Sequence, residues 1–97
     1  NGAIANMQDD AMVEVVCELG INGPRPMSVG NIPQFYLGLL VQQVSCEKLL
    51  VDAYYEHSYQ KALEAFTLNR LINDAKVARK ILDALIEANK GMWPELK

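Results

Sequence analysis

The stretch QFYLGLLVQQVSCEKLLVDAYYEH, from Gln34 to His57, constrains the chain more than any other. Asn31 stands just before Pro33 and three residues before Gln34, so its side chain can accept from the open amides of a first helical turn while Gln34 reaches back. The spacing predicts a helix from there to about Glu56, about 35 Å long at 1.5 Å per residue. Phe35, Leu37, Leu39, Leu40, Val41, Val44, Leu49, Leu50, Val51, Ala53 and Tyr54 cover well over half its circumference. A helix apolar round so much of its surface requires neighbours on more than one side. Gly38, inside it, costs about 1 kcal/mol against alanine and points to a close crossing of another backbone.

Ahead of this helix the period changes to two. In AMVEVVCEL, from Ala11, Val13, Val15, Cys17 and Leu19 fall on one face and Met12, Glu14, Val16 and Glu18 on the other, the pattern of a half-buried strand. The Asn22-Gly23 pair that follows suits a hairpin reversal. Pro24 and Pro26 cannot donate to a ladder, so the returning strand, Arg25 to Val29, is expected to be an edge or to pair only in its last residues.

After the long helix, Ser58 can cap a second one, YQKALEAFTL, with Tyr59, Ala62, Leu63 and Phe66 at helical spacing. Asn73 or Asp74 can cap a third, AKVARKILDALIEANK, whose stripe is Val77, Ala78, Ile81, Leu82, Leu85 and Ala88. Gly91 is placed to end that helix in a left-handed cap, and the tail MWPELK should fold Trp93 back. The hairpin and long helix are expected to form the core, with the two later helices covering it.

Composition narrows the functional classes. A hydrophobic fraction of 51% is rich for 97 residues and implies apolar surface meant for a neighbour. Exposed parts of the long helix should therefore drive self-association. Net charge is −3, with the acids concentrated in the first half, so no basic stripe is present to follow a phosphate backbone and nucleic-acid binding is not expected. No apolar run reaches the roughly 18 residues of a membrane span and no signal-peptide pattern is present, which predicts a soluble, cytoplasmic chain with no membrane partner. The opening Asn1-Gly2 is turn chemistry with no element before it and no initiator methionine, as expected of a piece cut from something larger.

Candidate chemistry is sparse. Cys17 and Cys46 lie in apolar surroundings and read as two buried free thiols, or as a disulfide if their Cα atoms come within about 7 Å. His57 is the sole histidine. As a metal ligand it would draw on Cys46, Asp52 or Glu56, but no recognised ligand spacing joins them; as the last residue of a helix it would face the negative end of the dipole. Asp9-Asp10 read as loop carboxylates, and Tyr54-Tyr55 either stack a sugar or base or divide between core and surface. Phosphate loop, nucleophile elbow and paired thiol motifs are missing, so no catalytic, cofactor-binding or metal-ligating residue is assigned.

The order of parts carries more than any single residue. NGAIAN, VEVVC, SVGNIP, and EAN followed by WPELK resemble the carboxyl-terminal end of glycoside hydrolase family 4, and within it the bacterial 6-phospho-α-glucosidases, over essentially the whole chain. One departure is Val16, where the family strand usually reads Val-Glu-Val-Pro-Cys. The resemblance implies an α+β fold, an N-terminal β-hairpin packed on a long α-helix plus two further helices, forming the end of a lactate/malate-dehydrogenase-like C-terminal domain. Residues 1–97 would be a C-terminal fragment of the catalytic domain, with loop and hairpin over 1–30 and helices over 31–97.

That family cleaves phosphorylated disaccharides such as maltose 6-phosphate by a redox-elimination route with NAD and Mn2+, outside the usual two-carboxylate schemes. The resemblance implies that those groups, and every catalytic residue, belong to motifs upstream of Asn1, so the fragment alone is expected to be inactive. Its partners would be the remainder of its own polypeptide and a second copy in a homo-oligomer. The NGAIAN loop would approach the substrate pocket, making Asn1 and Asn6 candidates for the site periphery, with turn structure as the competing reason for both. Two other readings stay open: the end of a lactate/malate-dehydrogenase-like oxidoreductase, or a freestanding helical interaction module.

Overall fold

The computed structural model describes residues 1–97. Its elements run β1 (Cys17–Gly20), β2 (Gly23–Pro26), α1 (Gln34–Glu56), α2 (Tyr59–Leu68) and α3 (Ala75–Ala88). This is the α+β order expected, a hairpin followed by one long and two shorter helices. The backbone divides into two compact units, 1–41 and 42–97, with the boundary inside α1. No helix is long and apolar enough to cross a membrane.

In the first unit the opening loop lies alongside residues 29–32. Ile4 and Gly30 form a parallel bridge, the Val29 N–H donates to the Ala3 carbonyl at 2.7 Å, and the Ala5 N–H donates to the Gly30 carbonyl at 2.9 Å. Ala3, Ile4, Met7 and Ala11 are buried there. The alternation read from Ala11 onward holds as far as Val15, since Val13 and Val15 are half-buried while Met12 and Glu14 are exposed. It fails beyond: the ladder begins only at Cys17, and Cys17 and Leu19 are exposed along with every other strand residue. An alternating pattern defines a face but does not supply what covers it.

The reversal differs too. Gly20 pairs with Gly23, so the loop is Ile21-Asn22, and Gly23 alone takes a left-handed φ, +94°. Asn22 therefore closes the turn, and Gly23 starts the returning strand. β2 pairs through both prolines, earlier than expected. This is possible because Pro24 faces Leu19 and Pro26 faces Cys17 in a register where the Met27 N–H donates to the Val16 carbonyl at 2.9 Å. Hydrogen-bonded and non-bonded pairs alternate from that bond, so neither proline is asked for a donor. Arg25 and Glu18 form an exposed ion pair between the strands.

The first bond of α1 runs from the Leu37 N–H to the Pro33 carbonyl at 3.1 Å, so Pro33 occupies the cap and Asn31 lies two residues outside it. Gly38 has open space where a Cβ would stand, and the close backbone crossing expected there is not made by this chain.

In the second unit α1 ends in a left-handed cap. His57 has φ 57°, and the Ser58 N–H reaches back to the Ala53 carbonyl at 3.0 Å. Ser58 then caps α2, its hydroxyl accepting from the Lys61 N–H at 3.2 Å. Asp74 rather than Asn73 caps α3, accepting from the N–H groups of Lys76 and Val77 at 2.8 and 2.9 Å. α3 stops at Ala88, two residues short of the expected Lys90, and Gly91 (φ 86°) belongs to the turn that follows.

The core of this unit is Ala53, Ala62 and Leu82, with Tyr59, Leu63, Phe66, Ile86 and Leu96 packed on it. It therefore involves all three helices and the tail, whereas the hairpin, expected to be central, contributes nothing buried. The small side chains of Ala53 and Ala62 leave room for their larger neighbours to interdigitate. The α3 stripe splits: Ala78 and Leu82 are buried, while Val77, Ile81 and Leu85 form an exposed row. The tail does fold back. The Lys97 N–H donates to the His57 carbonyl at 2.8 Å, the Tyr59 N–H to the Lys97 carbonyl at 3.0 Å, and Trp93 meets the Tyr54 ring edge-on with centroids 6.5 Å apart.

Candidate functional site

Asn1 and Asn6, the two residues singled out for the site periphery, both sit in the opening loop and both spend their amides on folding it. The Asn1 Oδ1 accepts from the N–H groups of Ala3 and Ile4 at 3.2 and 3.0 Å. Its Nδ2 is spread over the carbonyls of Ile4, Met7 and Gln8 at 2.8, 3.2 and 3.1 Å. An asparagine can do this because its amide offers donors and an acceptor on one short arm. Asn6 works at longer range: its Nδ2 donates to the Ile32 carbonyl and its Oδ1 accepts from the Ile32 N–H, both at 3.0 Å. That reciprocal pair extends the bridge between the loop and residues 29–32 by one more rung.

Beside this loop lies a groove of about 420 Å³ whose lining includes Asn1, Ala3, Ala11, Val13, Val15 and Pro26. No charged side chain lines it. It can hold a shape against a neighbour but offers no acid, base or nucleophile.

The other sequence candidates are dispersed. Both cysteines are free; Cys46 is buried, which pushes its thiol pKa up, and Cys17, expected to be buried, is exposed. His57 caps α1, and its Nδ1 stands 3.3 Å from the Glu95 carbonyl. Asp52 and Glu56, considered as its co-ligands, instead pair with Lys61 at 3.4 and 2.7 Å. The hydrogen bond to Glu56 is the main cause that raises the Lys61 ammonium pKa, with Asp52 adding to it. No three His, Cys, Asp or Glu side chains converge on a point that could hold a metal ion. Tyr54 and Tyr55 meet edge to face at 5.4 Å and, with Glu47, Leu50, Val51 and Trp93, line an open, mainly apolar depression of about 450 Å³.

Two polar pairings carried no sequence signal. The Tyr59 hydroxyl donates to Asp83 at 2.6 Å across 24 residues, and this hydrogen bond raises the tyrosine pKa. The Asn6–Ile32 pair spans 26 residues. Both depend on which elements are brought together, and local spacing does not report that.

A loop locked by its own amides, an exposed hairpin and a helical core make up these residues, and no reacting groups converge among them. The chain belongs to glycoside hydrolase family 4: residues 1–72 match the family 4 glycosyl hydrolase C-terminal domain. The match sets aside the dehydrogenase reading. The chain is 56% identical over 96 residues to the maltose-6'-phosphate glucosidase MalH of Clostridium acetobutylicum, covering 99% of this chain and 22% of that protein. It superposes with a TM-score of 0.91 and 92% identity on the crystal structure of a 6-phospho-α-glucosidase from gut microorganisms in complex with NAD and Mn2+, covering 99% of this chain and 22% of that one. A second such enzyme, in complex with NAD and glucose-6-phosphate, gives a TM-score of 0.90 at 59% identity, covering 100% of this chain and 22% of that one. The chain thus spans about a fifth of the length of the curated relatives it matches.

Proposed function

We propose that these residues are the C-terminal structural and oligomerisation portion of a 6-phospho-α-glucosidase that hydrolyses phosphorylated disaccharides such as maltose 6-phosphate by an NAD-dependent redox-elimination route. The observation that supports this is the 92% identity, over 99% of the chain, with a 6-phospho-α-glucosidase solved in complex with NAD and Mn2+. Residues 1–97 would form one part of its catalytic domain, the loop and hairpin over 1–30 and the helices over 31–97. The enzyme would be cytoplasmic, where a charged sugar phosphate is retained.

The residues of this chain do not fit NAD or Mn2+: no glycine-rich phosphate loop occurs in the sequence, and no three metal-binding side chains converge. In this reading both groups are held by the rest of the polypeptide. The work of the chain is mechanical. Asn1 and Asn6 fix the opening loop at the periphery of the substrate site, and exposed apolar residues such as Phe35, Val51 and Leu85 are covered by the rest of the enzyme and by a second copy.

The test is an assay of the full-length protein that contains this chain, using chromogenic 6-phospho-α- and 6-phospho-β-glucosides with NAD and Mn2+. Turnover of the α-linked substrate is expected, with none from the purified 97-residue chain. Preference for the β-anomer, or turnover by the short chain, would count against the proposal.

A further inference from the structure

The two free edges of the hairpin are chemically unlike. Counting from the bond between the Met27 N–H and the Val16 carbonyl, the register turns the peptide groups of Glu18, Gly20, Gly23 and Arg25 inward and those of Cys17, Leu19, Pro24 and Pro26 outward. On β2, both outward positions are therefore proline, and that edge presents carbonyls but no donor. On β1 the outward positions are Cys17 and Leu19, each with an intact N–H and C=O, and neither peptide group bonds elsewhere in the chain. Prolines on one edge are a device that prevents strand addition there. The other edge is left open, and it is exposed: Leu19 is 82% accessible and Ile21, at the tip, fully so.

An isolated two-stranded hairpin is marginal in water, and three or more strands give independent stability. We infer that the outer edge of β1, through the peptide groups of Cys17 and Leu19, takes a third extended strand from the part of the polypeptide outside these residues, while the proline edge of β2 stays unpaired. The occupant is assigned to the same polypeptide because the relatives are more than four times longer than this chain, which covers 22% of MalH. The inference rests on the reading that this chain is one portion of such an enzyme. A strand from a second copy would engage the same groups, and the test separates the two sources.

In the full-length protein, residue-resolved hydrogen exchange should show the Cys17 and Leu19 amides protected at least 100-fold over their free rates, although neither has a partner within the hairpin. That protection should not change when the protein is diluted through any monomer–oligomer transition. Alkylation of the Cys17 thiol, measured against the same protein unfolded, should be slowed in parallel because the added strand crowds the exposed face. Exchange at free rates would overturn the inference, and so would protection lost on dilution, which would assign the edge to a second copy. Leu19→Pro deletes only an outward donor and should abolish protection at Cys17 while leaving the inward Arg25 amide protected; unchanged protection at Cys17 would also overturn it. Assaying glucosidase turnover on the same wild-type sample keeps a failure of the functional reading distinct from a failure of the strand assignment.

Discussion

Residues 42–97 and residues 1–41 are held by different means. In the former, Leu82, Ala53 and Ala62 meet at a common centre, and both later helices begin on side-chain caps, Ser58 and Asp74. In the latter, only Ala3, Ile4, Met7 and Ala11 are buried, and order comes from the two asparagine amides and the short ladder to residues 29–32. The apolar residues of its hairpin, Leu19 and Ile21 among them, cover nothing. A region whose side chains bury one another carries the means of its own stability. One whose apolar groups face outward gains little from burial and depends on its hydrogen bonds instead.

The largest effect should come from the core of the second region. Leu82 is 1% exposed, and Leu82→Ala is expected to cost about 3 kcal/mol. In the full-length protein this would appear as roughly a hundredfold loss of hydrogen-exchange protection in α2 and α3, one decade for each 1.4 kcal/mol. Equal loosening of the loop over residues 3–8 would break the contrast between the regions. The corresponding blow to the first region is Asn1→Ala, which strands the donors of Ala3 and Ile4 and the acceptors of Met7 and Gln8. About 2 kcal/mol is expected, read as faster exchange in that loop. Asn1→Asp keeps the acceptor for Ala3 and Ile4 but sets a carboxylate oxygen against the carbonyls of Ile4, Met7 and Gln8, so it should not restore the loop.

The same contrast accounts for what the sequence made legible. The caps of the two later helices and the run from Gln34 to Glu56 are readable because they depend on residues three or four apart, Ser58 with Lys61 and Asp74 with Val77, whereas the start cap of α1 at Pro33 and the end of α3 at Ala88 are not. The hairpin was readable in kind but not in extent, since the alternation continues through Cys17 and Leu19 whether or not anything covers them. Placing the core on the hairpin failed for that reason. At the candidate site, Asn1 and Asn6 could be picked out as turn-forming residues, but the pairing of Asn6 with Ile32 needs two loops brought side by side. A backbone crossing at Gly38 is not met within this chain.

A smaller effect tests whether α3 depends on its own start signal or only on the core. Asp74 holds two amides of the first turn, and Asp74→Ala should cost about 1 kcal/mol, with fraying confined to Ala75–Ala78. Asp74→Asn should recover most of the loss, because it keeps an acceptor oxygen. Destabilisation as large as that of Leu82→Ala would mean that the cap and the core are one cooperative element.

The smallest effect concerns the polar margin of the same core, where Tyr59 packs on Ala62 and Leu82 while its hydroxyl donates to Asp83 at 2.6 Å. The hydrogen bond is open to solvent, so Tyr59→Phe should cost only about 0.5 kcal/mol near neutrality. Its signature lies in the pH dependence. The hydrogen bond to Asp83, then burial, then the carboxylate charge hold the phenol pKa above its usual 10.0, so the folded state favours the protonated form. The stabilisation is complete below the ordinary tyrosine value and is lost as pH rises through the raised one. Between about pH 9 and 12 wild-type stability should therefore fall more steeply than that of Tyr59→Phe, and the two curves should converge at the alkaline end. Cys46, whose thiol pKa is also pushed up by burial, weakens both proteins alike in this range and cancels from the difference. Parallel curves would show that the Tyr59–Asp83 bond contributes nothing, leaving the second region held by apolar packing and its caps.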